Sequence, residues 1–463
     1  MFVGRERELK ELNKMYDSGK FEFAVVYGRR RVGKTTLINE FCRGKRTVFY
    51  TAFESTSEDN RAGLSRSFFR LTEPRVWSSA VFNDFTEILD RIDSLSRTER
   101  LVLVIDEYPW LAEAEPAISS LLQQYIDHVF KDGRLFLILC GSSMSFMENQ
   151  VLGHRSPLFG RRTAQFRVLP FDYRETALFH PSFTPEESAL VYGMTGGVPL
   201  YVGYFSDSAG IGENVRNNFL KPNSPLFEEP SNLLKQELRE PKTYNAILAA
   251  IAGGASRLNE IATRVGCESG PCAKYLASLA ELGIVEKISP LTELNSRRTI
   301  YRISDLLFAF WYRFVPHNLS SVMTGRVEDV WDYDIERHLP DYMGGAFEKM
   351  AMDYLLKYKK TLPLDTGLAG RWWGNDPERR QQTDIDLVIF SHDGTKALFG
   401  ECKYRNEPTG PEVLRELKRR SLLLAGPQKR YYALFSKAGF TSAALKSAKA
   451  AGAMAVSLEE MYA

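Results

Sequence analysis

Eight consecutive residues, Gly28-Arg29-Arg30-Arg31-Val32-Gly33-Lys34-Thr35, have the types and spacing that cradle phosphate. An anion is held by converging backbone N–H groups, so glycine is needed where the chain bends tightly, and a helix starting behind the loop adds its positive end. Gly28 and Gly33 supply the bends, Lys34 is placed to meet β- and γ-phosphates, and the Thr35 hydroxyl is placed to bind Mg²⁺, with Thr36 next on the helix. The apolar run Leu101-Val102-Leu103-Val104-Ile105 ends in Asp106-Glu107. Asp106 is expected to share the metal, and Glu107 to orient and polarise an attacking water. Another run ends in Cys140-Gly141-Ser142-Ser143, where Ser142 or Ser143 reaches for the γ-phosphate. Arg161 and Arg162 sit in an expected loop, either to stabilise a transferring phosphoryl or as a solvated basic turn.

A second constellation lies near the other end. Residues two apart on a strand share a face, so Glu401 and Lys403 project together and Cys402 points away. A hairpin through His392-Asp393-Gly394-Thr395 is expected to set Asp386 beside Glu401. Two such carboxylates suit Mg²⁺ or Mn²⁺, and Glu348, on a helix expected to open at Gly345, completes the shell. Lys403 is expected to orient a nucleophile or offset phosphate charge. Asp384 points the same way as Asp386 and competes for the metal. An ordinary ion pair of Glu401 with Lys403 is the bland alternative. Arg415, Lys418 and Arg419 share a helix face, suited to a DNA backbone or to solvent.

These residues need elements to hold them. Apolar runs at residues 23–27, 47–50, 101–105 and 135–139 alternate with amphipathic stretches, which predicts a doubly wound α/β domain with a parallel sheet over residues 1–171. A helical lid is expected over 172–240, turning sharply at Gly196-Gly197-Val198-Pro199. Residues 241–305 predict a winged helix: one helix capped by Ser256, another opening at Gly270, then wing strands at 283–288 and 298–303. Lys274, Arg297 and Arg298 give it only a weak basic face. A helical linker at 306–343 carries Phe308, Phe310, Trp311, Tyr312 and Phe314, dense enough to predict core packing. A second α/β domain is expected over 344–463, with strands at 385–390, 396–403 and 431–435.

The 463 residues, 44% apolar and 25% charged, read as a multidomain globular chain. A net charge of +2 leaves any nucleic-acid binding to local patches. Five scattered cysteines without a Cys-x-x-Cys pair predict reduced thiols, with neither disulfide framework nor zinc site. Neither a signal peptide nor a membrane-length apolar run is read, so a cytoplasmic protein without membrane contact is expected.

Taken together, Phe2-Val3-Gly4-Arg5-Glu6-Arg7-Glu8-Leu9, the loop at 28–35, Ile105-Asp106-Glu107-Tyr108-Pro109-Trp110-Leu111, Leu139-Cys140-Gly141-Ser142-Ser143 and Gly196-Gly197-Val198-Pro199 resemble the archaeal-type ATPases of the AAA+/STAND division. The resemblance runs through most of residues 1–310. It implies ATP as the nucleotide, an adenine bordered by the segment around Val3 to Glu6, a lid bearing Pro199, and a winged helix. Glu348, Asp386 and Glu401-x-Lys403 resemble the PD-(D/E)XK restriction-endonuclease-like fold, which forms the C-terminal domain of some such ATPases. The implied function is an ATP-hydrolysing, DNA-binding protein with a metal-dependent nuclease domain under ATP control. The alternative is a regulatory ATPase whose C-terminal domain binds protein partners without cutting. A monomer fits, as does a nucleotide-dependent oligomer in which Arg161 or Arg162 acts on a neighbour.

Overall fold

Runs of Val, Ile, Leu and Phe without polar interruption are stable only where both faces are covered, and all four become strands in the computed structural model, which describes residues 2–75, 77–291 and 298–463. They are β1 (Glu22–Tyr27), β2 (Thr47–Thr51), β3 (Leu101–Asp106) and β4 (Leu135–Gly141), and every residue of β3 and β4 is buried. A fifth strand, β5 (Ala164–Arg167), joins them in parallel in the order β2-β3-β4-β1-β5. Its side chains are half-exposed or exposed, which is why it left no apolar run to read.

Alternate residues of the sheet fill two apolar layers. Phe23, Val25, Val48, Leu103 and Leu137 pack on one side with Leu64 and Ile88 from helices Ser57–Thr72 and Phe85–Thr98. Ala24, Val26, Val102, Phe136 and Ile138 pack on the other with Leu12 and Leu37 from helices Glu6–Asp17 and Lys34–Cys42. The doubly wound α/β architecture follows from that two-sided pattern.

The chain divides into two compact units, Met1–Pro170 with Val198–Leu200, and Phe171–Gly197 with Tyr201–Ala463. In the second, helices Pro241–Ala252, Leu258–Val265 and Ser269–Glu281 precede an antiparallel pair, β6 (Val285–Ile288) and β7 (Ile300–Ile303). Ser256 is not the cap expected of it. Arg257 holds that position, and the Glu260 carboxylate accepts the N–H groups of Ser256 and Arg257 at 3.0 and 3.1 Å. The next helix opens at Ser269, one residue before Gly270.

The aromatic cluster lies in helix Leu306–Phe314 and is core, as expected: Phe310 meets Phe219 edge-on at 4.8 Å, and Trp311 Nε1 donates to Phe227 O at 2.6 Å. Helix Leu339–Asp353, started by Pro340 in its first turn, runs across the boundary expected at 343/344. Gly345 therefore lies inside a helix that it was expected to open. The last sheet has the order β12-β11-β10-β9-β8, from β8 (Ala369–Asp376), β9 (Gln381–Phe390), β10 (Lys396–Lys403), β11 (Lys429–Ser436) and β12 (Met454–Ser457). It is mixed: β8, β9 and β10 are antiparallel neighbours, while β10, β11 and β12 are parallel. Among the described residues no helix is long and apolar enough to cross a membrane.

Candidate functional site

The loop from Gly28 to Gly33 leaves the carboxyl end of β1, a central strand between β4 and β5, and enters helix Lys34–Cys42 directly. A side chain at Gly28 would collide with the backbone oxygen of Val168, and Gly33 caps the helix at φ 88°, so both turns require glycine. Arg31, at φ 72°, holds a left-handed conformation with an ordinary side chain. Val32 is buried in the apolar layer that holds Leu12 and Leu37, whereas Thr35 and Thr36 face solvent from the first helical turn.

Lys34 is only 5% exposed, and its Nζ donates to the carbonyls of Gly28 and Arg29 at 2.9 and 3.0 Å. Burial lowers its pKa, while Asp106 and Glu107 act in the opposite sense. Thr35 Oγ1 donates to Asp106 Oδ2 at 2.8 Å, and Asp106 is 2% exposed at the end of β3. Glu107 turns the chain at φ 51° and reaches the end of β4, where its Oε2 accepts from Ser142 Oγ at 2.8 Å and Ser142 N at 3.2 Å. Between Ser142 and Ser143, the geometry thus selects Ser142 as the partner of the acid.

Arg161 is held by Asp127 through two bonds, Nε–Oδ1 at 2.8 Å and Nη2–Oδ2 at 2.7 Å, and it also donates to Pro157 O and Phe159 O. Arg162 is half-buried, and its charge is felt at the Tyr27 hydroxyl, whose pKa burial raises. Pro199 lies against Gly33. Arg5, at φ 67° and 6% exposed, donates to Val32 O at 3.3 Å and to Leu169 O, tying the N-terminal segment to the loop. That role was not legible from residue types, because an arginine among alternating charges reads as solvated surface.

In the second unit the four motif residues come together. Asp386 Oδ2 accepts from Cys402 N at 2.9 Å, which sets it beside Glu401 on the neighbouring strand. Burial, then Glu401 and Glu348, push the Asp386 carboxyl up to about 7. Burial also raises Glu348. Glu401 Oε1 accepts from Lys403 Nζ at 2.6 Å and its Oε2 from Arg420 Nη2 at 2.7 Å. Arg371 Nη1 pairs with Glu348 Oε2 at 3.2 Å, while its Nη2 pairs with Asp384 and lies 4.0 Å from Asp386 Oδ1. Asp384 is thus drawn to Arg371, and Asp386 is the acid nearer Glu401.

Among the described residues no three His, Cys, Asp or Glu side chains are arranged to hold a metal ion. Arg371 pairs with Glu348, and Lys403 and Arg420 pair with Glu401. The pairing of Arg371 and Arg420 with these acids carried no local signal, since each arginine reaches the cluster from a different element. Of the helix face read as suited to a DNA backbone or to solvent, Arg419 is held by Asp376 at 2.6 Å and Glu416 at 2.7 Å, Lys418 lies over the Tyr432 ring, and Arg415 is exposed. Arg297 lies outside the described residues.

Parts of the chain match known families, and most of its length matches a known protein. Residues 2–205 match the family described as an ATPase domain predominantly from Archaea. Residues 311–420, which include Glu348, Arg371, Asp386, Glu401, Lys403 and Arg420, match a family of archaeal and bacterial proteins of unknown function. An uncharacterized ATP-binding protein of Pyrococcus horikoshii is 27% identical over 239 residues, 44% of this chain and 73% of that protein. The Walker-type ATPase of Pyrococcus abyssi has the same fold, with a TM-score of 0.51 at 19% identity over 67% of this chain and 96% of its own. An uncharacterized protein of Methanocaldococcus jannaschii is 33% identical over 452 residues, 94% of this chain and 96% of that protein. The chain belongs to the family of this M. jannaschii protein and carries, at residues 2–205, an ATPase domain of the kind found predominantly in Archaea.

Proposed function

We propose that the chain hydrolyses ATP at the loop of residues 28–36 and that turnover controls an effector, in the second unit, that acts on DNA. The observation that carries the first part is the contact of Thr35 Oγ1 with Asp106 Oδ2 at 2.8 Å, directly behind the phosphate-binding turn. A hydroxyl and a buried carboxylate at that separation are oxygen donors that fit Mg²⁺. Mg²⁺, when bound with ATP, supplies charge neutralisation across the β- and γ-phosphate oxygens.

The chain's own residues do the rest. Lys34 exchanges the carbonyls of Gly28 and Arg29 for phosphate oxygens, whose negative charge offsets the burial that lowers its pKa. Glu107 orients a water and accepts its proton, and Ser142 holds that carboxylate while sensing the γ-phosphate. Arg162 is assigned to the charge on the transferring phosphoryl, because Arg161 is occupied by Asp127. Pro199 closes the loop beside Gly33. Phosphate release is expected to fall to background in Lys34→Ala, and by about a hundredfold or more in Glu107→Gln with nucleotide binding retained. Turnover that persists in both variants sinks the assignment.

DNA cleavage is supported by the clustering of Asp386, Glu401, Glu348 and Lys403, with Asp386 raised by its neighbours. An oxygen-only donor set of this kind suits Mg²⁺ or Mn²⁺, which would polarise a phosphodiester and activate water. Arg371 and Arg420 must then share or yield the carboxylates they hold, and Lys403 turns from Glu401 toward the phosphate or the nucleophile. The competing reading, a regulatory ATPase that binds protein partners, is favoured by the completeness of those ion pairs. Linear, circular and single-stranded DNA incubated with Mn²⁺ decides between them: cleavage lost in Glu401→Ala supports the nuclease, and intact DNA with active ATPase supports the regulator.

A further inference from the structure

In the second unit a cleft of about 360 Å³ opens where the segment before helix Leu258–Val265 and the chain leading into β7 face the β8–β9 hairpin. Among the described residues Arg257, Arg298 and Arg371 line it together with Asp384, which Arg371 pairs. Its lining adds the half-buried Trp373 and the exposed Asn375 and Gln382. The cleft therefore presents arginines, an indole, and amide donors and acceptors.

Strand register orders these groups. Trp373 is opposite Asp384, and Asn375 is opposite Gln382, so each pair shares a face of the antiparallel ladder. Gly400 is opposite Leu387, and one step further along brings Glu401 to Asp386. Along one sheet face the chemistry thus runs from amides, through an indole, to the Arg371 guanidinium and then to the acid cluster. A ligand that follows this row needs a flat ring with polar edges joined to an anion, which is the chemistry of a nucleoside phosphate. Ring faces are open to an indole only where bases are unpaired. A cleft of this size is at the lower end of small-ligand sites, about 300 Å³ and upward, and accommodates one such unit.

We propose that this cleft binds one unpaired nucleotide of a nucleic-acid strand, with its base on Trp373, its base edge at Asn375 and Gln382, and its phosphate at Arg257 and Arg298. The strand then passes Arg371 toward Asp386 and Glu401. This deepens the DNA-acting reading above by naming an unpaired strand as its substrate, yet the binding requires neither ATP turnover nor cleavage.

The test uses the full chain, without nucleotide and in EDTA, titrated against a fluorescein-labelled oligothymidylate of about twelve nucleotides and read by anisotropy. Trp373→Ala is expected to weaken binding by about fivefold to a hundredfold, and Trp373→Phe to recover most of the loss. Combining Arg257→Gln with Arg298→Gln is expected to flatten the slope of log affinity against log salt by about 0.7, the value for the one phosphate that both guanidiniums meet on a single strand. A blunt duplex should bind without sensitivity to Trp373. Competition by free thymidine monophosphate at equal potency assigns the same site to a free nucleotide; much weaker competition assigns it to the strand. Melting midpoints check the fold of each variant, and Asn375→Ala with Gln382→Ala serves as a second set at exposed positions. Oligonucleotide affinity and salt slope that stay at wild-type values in correctly folded variants overturn the proposal. Binding that follows these expectations without cleavage in Mn²⁺ keeps the subsite and removes the nuclease.

Discussion

The carboxylate of Glu107 accepts two hydrogen bonds from Ser142, one from Oγ at 2.8 Å and one from the backbone N–H at 3.2 Å. The acid at the end of β3 is thereby fixed by the end of β4, two strands that pair in parallel. Removing the hydroxyl leaves only the backbone donor. Ser142→Ala is expected to lower the ATP turnover number about tenfold with little change in nucleotide affinity, since under the proposed mechanism the loss falls on an interaction that orients the base. Steady-state phosphate release alongside equilibrium binding of a fluorescent ATP analogue checks this. An equal loss in both would place Ser142 in ground-state binding.

Gly28→Ala tests the loop's geometry independently of its chemistry. The added methyl meets the Val168 carbonyl, a backbone group that cannot rotate away. A loss of stability of about 1–3 kcal/mol is expected from that overpacking, together with loss of nucleotide binding. Urea denaturation and the same binding assay report the two effects.

Arg5→Ala removes a buried guanidinium from Val32 O and Leu169 O. Charged hydrogen bonds of this kind contribute about 1.5–3 kcal/mol each, and part of that returns as water reaches the carbonyls, so a net destabilisation of about 2 kcal/mol is expected. Because Val32 belongs to the phosphate loop, the Michaelis constant for ATP should rise as well. Denaturation and kinetics measured on one preparation show whether the two move together.

Mn²⁺ provides a test of the acid cluster that does not depend on cutting. A ligand that binds only the folded state raises the melting midpoint, by about 2.7 kcal/mol of stability at a hundredfold excess over its dissociation constant. Wild type is expected to show such a rise, and Glu401→Ala to lose it. Calorimetry at fixed Mn²⁺ and in EDTA measures the difference, and identical midpoints in all four conditions would remove the metal from this site.

The C-terminal helix Leu458–Tyr462 is anchored by its Met461 carbonyl, which accepts from Tyr173 OH at 2.9 Å and Arg174 Nε at 2.7 Å. Tyr173→Phe is expected to cost about 1 kcal/mol. Arg174→Ala together with Tyr173→Phe should cost more than the sum of the singles, because only the double variant strands a buried carbonyl. A double-mutant cycle in urea measures that coupling.

Local order along the chain determined the loop, the acid pair after β3, the serine after β4 and the apolar strands, because each rests on residues adjacent in sequence or on a period-two or all-apolar run. It also brought out Asp386, Glu401 and Lys403, since strand alternation alone sets which side chains share a face. β5 and β8 were not legible: Ala164 to Arg167 and Ala369 to Asp376 carry mixed polar, aromatic and glycine residues, so their pairing is decided by neighbouring strands. Glu348 was placed on the correct helix, but the start of that helix lies at Leu339, where Pro340 opens it.

Only the tertiary structure decided which charges meet. Arg161 is bound to Asp127, 34 positions away in sequence; Arg420 is bound to Glu401, 19 away; and Arg371 gathers Glu348, Asp384 and Asp386. A guanidinium at the end of a long side chain leaves no trace in local spacing, because its partner is chosen by how helices and strands pack. The residues of the two candidate sites are therefore legible in short segments, while the ion pairs that hold the acids are set by the fold.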